Sequence, residues 1–127
     1  MNDGVVYLLS YLILPVLLIV ILPVLLIVVG LVMWRFPPGY GGSVGYRTKR
    51  SRSSRQAWDF AQVYWGRLIL VMSIPMLAVS VGAGVFQIVK PLSEAAGLLV
   101  FCVIMTLQLV PLFVSIGVTE SALKRRF

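Results

Sequence analysis

The sequence predicts an all-α integral membrane protein, with three transmembrane helices and a cytoplasmic amphipathic helix at the membrane interface. Three observations lead there. Three apolar runs, roughly Val5–Trp34, Leu68–Val89 and Ala95–Val118, contain no charged residue. Each reaches the ~18–20 residues that cross a hydrocarbon core of ~30 Å. Hydrophobic residues make up 60% of the 127 and charged residues 12%, with mean hydropathy +1.01, too little polar surface to cover a soluble domain. Most of the positive charge lies between the first and second runs. Backbone groups in lipid must pair within their own segment, which makes the spans helices. The runs lack the period of two that a barrel requires.

The net charge is +7, and its placement sets the expected topology. Arg35, Arg47, Lys49, Arg50, Arg52, Arg55 and Arg67 lie in or beside the first connection, against one acid, Asp59. Lys124, Arg125 and Arg126 follow the third run, whereas the second connection holds only Lys90 and Glu94, and the N-terminal segment carries Asp3. Basic loops stay on the cytoplasmic side, so the N-terminus is expected outside, the basic loop inside, the second turn outside and the C-terminus inside. The first run has no basic n-region and is too long for the apolar core of a signal peptide. It is expected to be a retained helix, residues 1–34, ahead of a second region, residues 35–127.

Within the first span, Leu-Pro-Val-Leu-Leu-Ile-Val at 14–20 recurs at 22–28, placing Pro15 and Pro23 roughly on one face, where each can kink the helix. Pro37-Pro38-Gly39 ends that helix, and Gly39 to Gly45 gives a flexible turn region. Ser53 followed by Gln56 forms a capping box that predicts a helix start. Ala57, Trp58, Ala61, Tyr64, Trp65 and Leu68 then fall on one apolar face, with Arg55, Asp59 and Gln62 opposite and an i,i+4 ion pair between Arg55 and Asp59. Such a helix lies among headgroups before running into the second span. There Ala78/Gly82 and Ser80/Gly84 are small-xxx-small pairs suited to close helix packing, and Pro75 can kink the helix. Lys90-Pro91 ends the second span. Ser93 caps the third, with Glu94 in its first turn, so the two spans form an antiparallel hairpin.

The residues give little material for catalysis. There is no histidine, and the four acids are scattered, which leaves no acid/base pair, no metal-ligand set and no expected cofactor. Cys102, the single cysteine, is expected to be a small buried apolar residue. Gln87 and Gln108 are expected to form interhelical hydrogen bonds. Gly39–Gly45 lacks the Gly-Lys-Ser/Thr of a phosphate loop and the third glycine of a dinucleotide fingerprint. The basic loop suits anionic lipid, at about 1 kcal/mol per basic residue near the leaflet, or an acidic cytoplasmic protein. Its short, membrane-tethered form argues against direct nucleic-acid binding.

Gly45-Tyr46-Arg47-Thr48, the Lys49-Arg50-Ser51 continuation, Trp58, Phe60-Ala61, Tyr64 and Gly66 resemble the SdpI family of small bacterial membrane proteins. Thr119-Glu120, Ala122-Leu123-Lys124 and Phe127 are similar to the family's usual ending. With one span ahead of the shared region, the chain resembles the short form. The resemblance implies a bacterial plasma-membrane protein that gives immunity to a secreted antimicrobial peptide toxin and signals by holding a repressor at the membrane. Its candidate binding residues would be Gly45, Tyr46, Arg47, Thr48 and Trp58, with Tyr46 and Trp58 as interfacial anchors and Arg47 facing phosphate or a partner carboxylate. Two other function classes fit the same residues. One is a small structural or accessory subunit that packs against a larger membrane complex through Ala78/Gly82 and Ser80/Gly84; so few helices also suit a homo-oligomer. The other is a small channel or transporter protomer.

Overall fold

The structure is a computed structural model that describes residues 2–90 and 92–127. It consists of three long helices and one ordered loop. Helix α1 runs from Asp3 to Arg35. Asn2 caps it by accepting a 2.9 Å hydrogen bond from the Val5 amide. The stretch Leu8–Ile13 is wound as a π-helix immediately ahead of Pro15. A proline ring clashes with the carbonyl four residues earlier, and a wider turn moves that carbonyl aside. Helix α1 stops at Arg35, ahead of Pro37-Pro38, because residues preceding proline are driven out of helical geometry.

Helix α2 runs unbroken from Arg55 to Val89, 35 residues. The expected amphipathic helix could meet the second span bent or continuous; nothing between Gly66 and Leu68 interrupts the backbone, and the segment forms the first turns of one continuous helix. The cap is also one residue later than the capping box implied. Ser54 Oγ accepts from the Ala57 amide at 3.0 Å, while Ser53 Oγ donates back to the Arg50 carbonyl at 2.6 Å, inside the loop. Helix α3, Glu94–Arg126, begins at Ser93, whose Oγ accepts from the Ala96 amide at 3.2 Å. Glu94 lies in its first turn and Lys124, Arg125 and Arg126 in its last, the placement that suits the helix dipole. Pro91, expected to end the second span, lies outside the described residues.

Length explains where the loop sits. At 1.5 Å per residue α2 is about 52 Å long, about 20 Å more than the hydrocarbon core. The excess falls in the charged turns between Arg55 and Arg67, and the end of α3 after Val118 overshoots on the same side. Loop 36–54 packs into the space between these protruding ends.

Helix α1 packs chiefly on α2, and α2 on α3, with little direct contact between α1 and α3. The α1–α2 crossing is a glycine contact. A Cβ on Gly30 would stand 2.7 Å from the Gly66 carbonyl oxygen, and one on Gly66 would stand 3.0 Å from the Gly30 oxygen. Farther along, Gly84 accommodates Val16, whose Cγ1 would lie 2.8 Å from an added Cβ.

A polar node joins all three helices. Pro23 has no N–H to give the Ile19 carbonyl, and Gln108 of α3 supplies the missing donor at 2.7 Å, while also donating to Ser80 Oγ of α2 at 2.7 Å. Ser80 and Gly84 are therefore both buried at contacts between helices. Ala78 and Gly82 are exposed, and a Cβ on Gly82 would meet nothing within 4 Å, so this second pair is not at a close helix crossing among the described residues. Gln87 makes no interhelical hydrogen bond among the described residues, contrary to the sequence expectation. Cys102 is exposed rather than buried, on a helix whose outward face also carries Leu99, Val103, Val110 and Phe113. These outward apolar side chains match a lipid surround.

Candidate functional site

The best-formed polar assembly is a clasp in which the loop closes on the protruding ends of α2 and α3. Its centre is an amide pair. The Tyr46 amide donates to Gln62 Oε1 at 2.7 Å, and Gln62 Nε2 donates to the Tyr46 carbonyl at 2.7 Å. Gln62 is fully buried, and its side chain satisfies both backbone groups of one loop residue, as a neighbouring strand would. Gly45 makes the approach possible. Its φ is +118°, which favours glycine, and a Cβ there would lie 2.5 Å from Gln62 Oε1 and 2.7 Å from Pro38 Cγ.

Two further layers close the clasp. Ser51, also fully buried, donates from Oγ to the Thr48 carbonyl at 2.8 Å and lies 3.2 Å from the Tyr46 carbonyl, while its amide donates to Thr48 Oγ1 at 3.2 Å. The Tyr46 hydroxyl donates to Glu120 Oε1 on α3 at 2.7 Å and sits 3.3 Å from the Ile116 carbonyl. Arg50 Nε approaches the other Glu120 oxygen at 3.5 Å. The Tyr46 ring packs on Trp65, with ring centroids 5.5 Å apart, and Trp65 Nε1 donates to Ser115 Oγ at 3.0 Å. Met33, Ala57, Ala61 and Leu123 complete the apolar floor. Burial, and secondarily the hydrogen bond and charge of Glu120, push the Tyr46 hydroxyl well above its ordinary pKa of 10.0, so the site holds the neutral phenol as a donor.

Of the residues singled out in the sequence, Gly45, Tyr46 and Thr48 lie inside this clasp. Trp58 is fully buried one helical turn before Gln62, its Nε1 donating to the Pro38 carbonyl at 2.9 Å and its ring meeting Tyr40 edge-on at 6.1 Å. Tyr46 and Trp58 therefore anchor the loop to the protein and do not face headgroups. Arg47 is the exception, since its side chain is exposed. Lys49, Arg52 and Arg55 are exposed too, so the clasp turns its motif tyrosine inward and its cations outward. The expected Arg55–Asp59 pair does not form, and the one ion pair among the described residues is Arg50–Glu120.

Gln62, Glu120 and Ser51 were not found as site residues from the sequence. For Gln62 a signal existed. It shares a helical stripe with Trp58, Ala61, Trp65, Gly66 and Ile69, all buried or partly buried, and a polar residue on a buried stripe requires a partner. At the edge of the site, the Trp34 ring lies near both Arg35 and Arg67, with guanidinium carbons 4.7 Å and 5.6 Å from its centroid. Phe60 takes Arg126 over its face at 4.7 Å and Phe127 against its side at 5.9 Å, which ties the end of the chain to α2.

A model of the SdpI/YfhL protein family matches residues 41–115, more than half of the 127-residue chain. No curated protein and no solved structure matches it. The matched stretch takes in the Gly45–Thr48 motif, Gln62, Trp65 and the helical hairpin as far as Ser115. Together with three helices long and apolar enough to cross a bilayer, it makes this chain a multi-pass membrane protein that belongs to the SdpI/YfhL family.

Proposed function

We propose that this protein gives a bacterial cell immunity to a secreted, membrane-active peptide and reports the encounter by altering the exposure of its basic loop, which holds a cytoplasmic repressor at the plasma membrane. The observation that carries this reading is the family match over residues 41–115, which includes the loop motif and most of its supporting contacts. The charge distribution supports a cytoplasmic basic loop and an outward-facing turn between α2 and α3. The clasp supports a signalling role because it fastens one loop to two spanning helices at once. Any relative movement of α2 and α3 strains the Gln62–Tyr46–Glu120 chain of contacts, and the exposed cations ride on the loop it fixes.

The test compares cells with and without the gene under challenge by membrane-active peptides, and adds an Arg47→Ala variant. Arg47 is the suitable probe because it is exposed, whereas Trp58→Ala would empty a buried site and unfold the loop. Loss of the gene should sensitise the cells. Arg47→Ala should reach the membrane at normal levels and weaken repressor retention. Equal survival with and without the gene would refute immunity, and wild-type retention of the repressor by Arg47→Ala would refute the loop's role.

A further inference from the structure

At the end of the bundle opposite the clasp, α1 and α3 stand apart. Between them and the end of α2 lies a cleft of about 630 Å³, a volume within the range of small-ligand sites. Its walls are apolar, with Leu12, Pro15 and Leu18 on α1 and Leu98 and Phe101 on α3. Gln87 of α2 lines it too. Only 6% of Gln87 is exposed, yet its amide makes no hydrogen bond among the described residues. Its amide atoms are not among the buried polar atoms left unpaired in the fold; they open onto the cleft, and both its donor and its acceptor are available to an occupant. At the rim stands Glu94, exposed and without an ion-pair partner among the described residues. The π-helical stretch and Pro15 shape the α1 wall, so the cleft is built by the backbone.

We propose that this cleft binds a short apolar peptide segment with a basic group, entering from the outer leaflet. A peptide unit offers one donor and one acceptor, the complement of the Gln87 amide, as Tyr46 is the complement of Gln62. Apolar side chains suit the walls, and an ammonium or guanidinium group suits Glu94. The inference rests on the immunity reading for the origin of the peptide, though the binding chemistry stands on the cleft.

The test uses full-length protein in nanodiscs of phosphatidylethanolamine and phosphatidylglycerol, with photo-crosslinks mapped by mass spectrometry. The probe is a synthetic leucine-rich hexapeptide carrying one lysine and one benzophenone. A second arm uses the same peptide N-methylated along its backbone, and a third a diazirine-labelled phospholipid. Crosslinks of the first probe should fall within residues 12–18 and 92–101. Gln87→Leu or backbone methylation should cut the yield about tenfold, the effect of one hydrogen bond. Glu94→Gln, at an exposed position, should weaken the lysine peptide and leave a norleucine analogue unchanged. Crosslinks elsewhere, a yield indifferent to Gln87→Leu, or labelling by the phospholipid that the peptide does not displace would overturn the proposal. Cleft crosslinking without protection in cells would sink the immunity reading alone, and protection without cleft crosslinking would sink the cleft alone.

Discussion

Gly45→Ala is the substitution that interrogates the clasp most directly. The added Cβ would stand 2.5 Å from Gln62 Oε1 and 2.7 Å from Pro38 Cγ, inside any tolerable contact. Gln62 cannot retreat, because the same amide serves both backbone groups of Tyr46. The φ of +118° adds backbone strain of about 1–3 kcal/mol for a residue with a side chain. If the amide pair parts, a buried Tyr46 N–H is orphaned at about 1–3 kcal/mol more. The sum is about 2–6 kcal/mol, and even its lower limit raises the population of the open clasp about 30-fold. Hydrogen exchange at the Tyr46 amide in nanodiscs reads that population, so exchange should accelerate by at least that factor while peptides from the middle of α3 stay unchanged. Gly39→Ala is the control, since a Cβ at Gly39 meets nothing within 4 Å. Wild-type protection of the Tyr46 amide in Gly45→Ala would refute the amide pair as the fastening of the loop.

Three further outcomes follow from the same geometry. Because Tyr46 has a raised pKa in the fold, its contribution is complete below the unfolded value of about 10 and is lost as pH rises toward the folded value. The protection factor of the loop amides, which corrects for the base-catalysed rise of intrinsic exchange, should therefore fall above pH ~10 in the wild type, and Tyr46→Phe should remove that fall. Gly30→Ala drives a Cβ to 2.7 Å from the Gly66 oxygen and 2.9 Å from the Leu70 amide, so thermal unfolding in detergent should show a loss of about 1–3 kcal/mol, whereas Gly82→Ala, in open space, should lose nothing. Gln108→Leu should cost about 0.6–2 kcal/mol, and adding Pro23→Ala should recover part of it by giving the Ile19 carbonyl its own helical donor, a coupling that a double-mutant cycle measures.

The spans were legible because a bilayer demands local, continuous hydrophobicity, and each run declares itself without reference to the others. The helix ends at Arg35 and Ser93 were legible for the same reason, since Pro37-Pro38 and a capping serine act on their own backbone. The clasp was only half legible. Gly45, Tyr46 and Trp58 stood out as residue types, but the partners that give them their roles lie 16, 20 and 74 residues away in Gln62, Pro38 and Glu120. No local period encodes such pairings. The same limit produced the errors at Trp58 and Gln62. An aromatic face reads alike whether it meets lipid or a folded loop, and a glutamine beside it reads as solvent-facing until the loop supplies a peptide group. Gly30 and Gly66, each unremarkable in its own helix, acquire meaning only as a pair.

The two buried glutamines of α2 bear on how the ends of the molecule communicate. Gln62 and Gln87 are 25 positions apart on one unbroken helix, about 38 Å along its axis. One is fully satisfied by loop backbone and the other has no hydrogen-bond partner among the described residues, so the helix carries a closed amide pair at one end and an open amide at the other. An occupant that drew Gln87 toward α3 would move α2 as a body, and the Gln62–Tyr46 pair would move with it relative to Glu120. The Gly30–Gly66 contact, close to the clasp end of α2, is the natural pivot, because backbones in direct contact leave no side chain to absorb the motion. Such an occupant opens the clasp only in proportion to its preference for the open state. A tenfold rise in exposed loop requires tenfold tighter binding to that state, about 1.4 kcal/mol, within the reach of a hydrogen bond made only when α2 has moved.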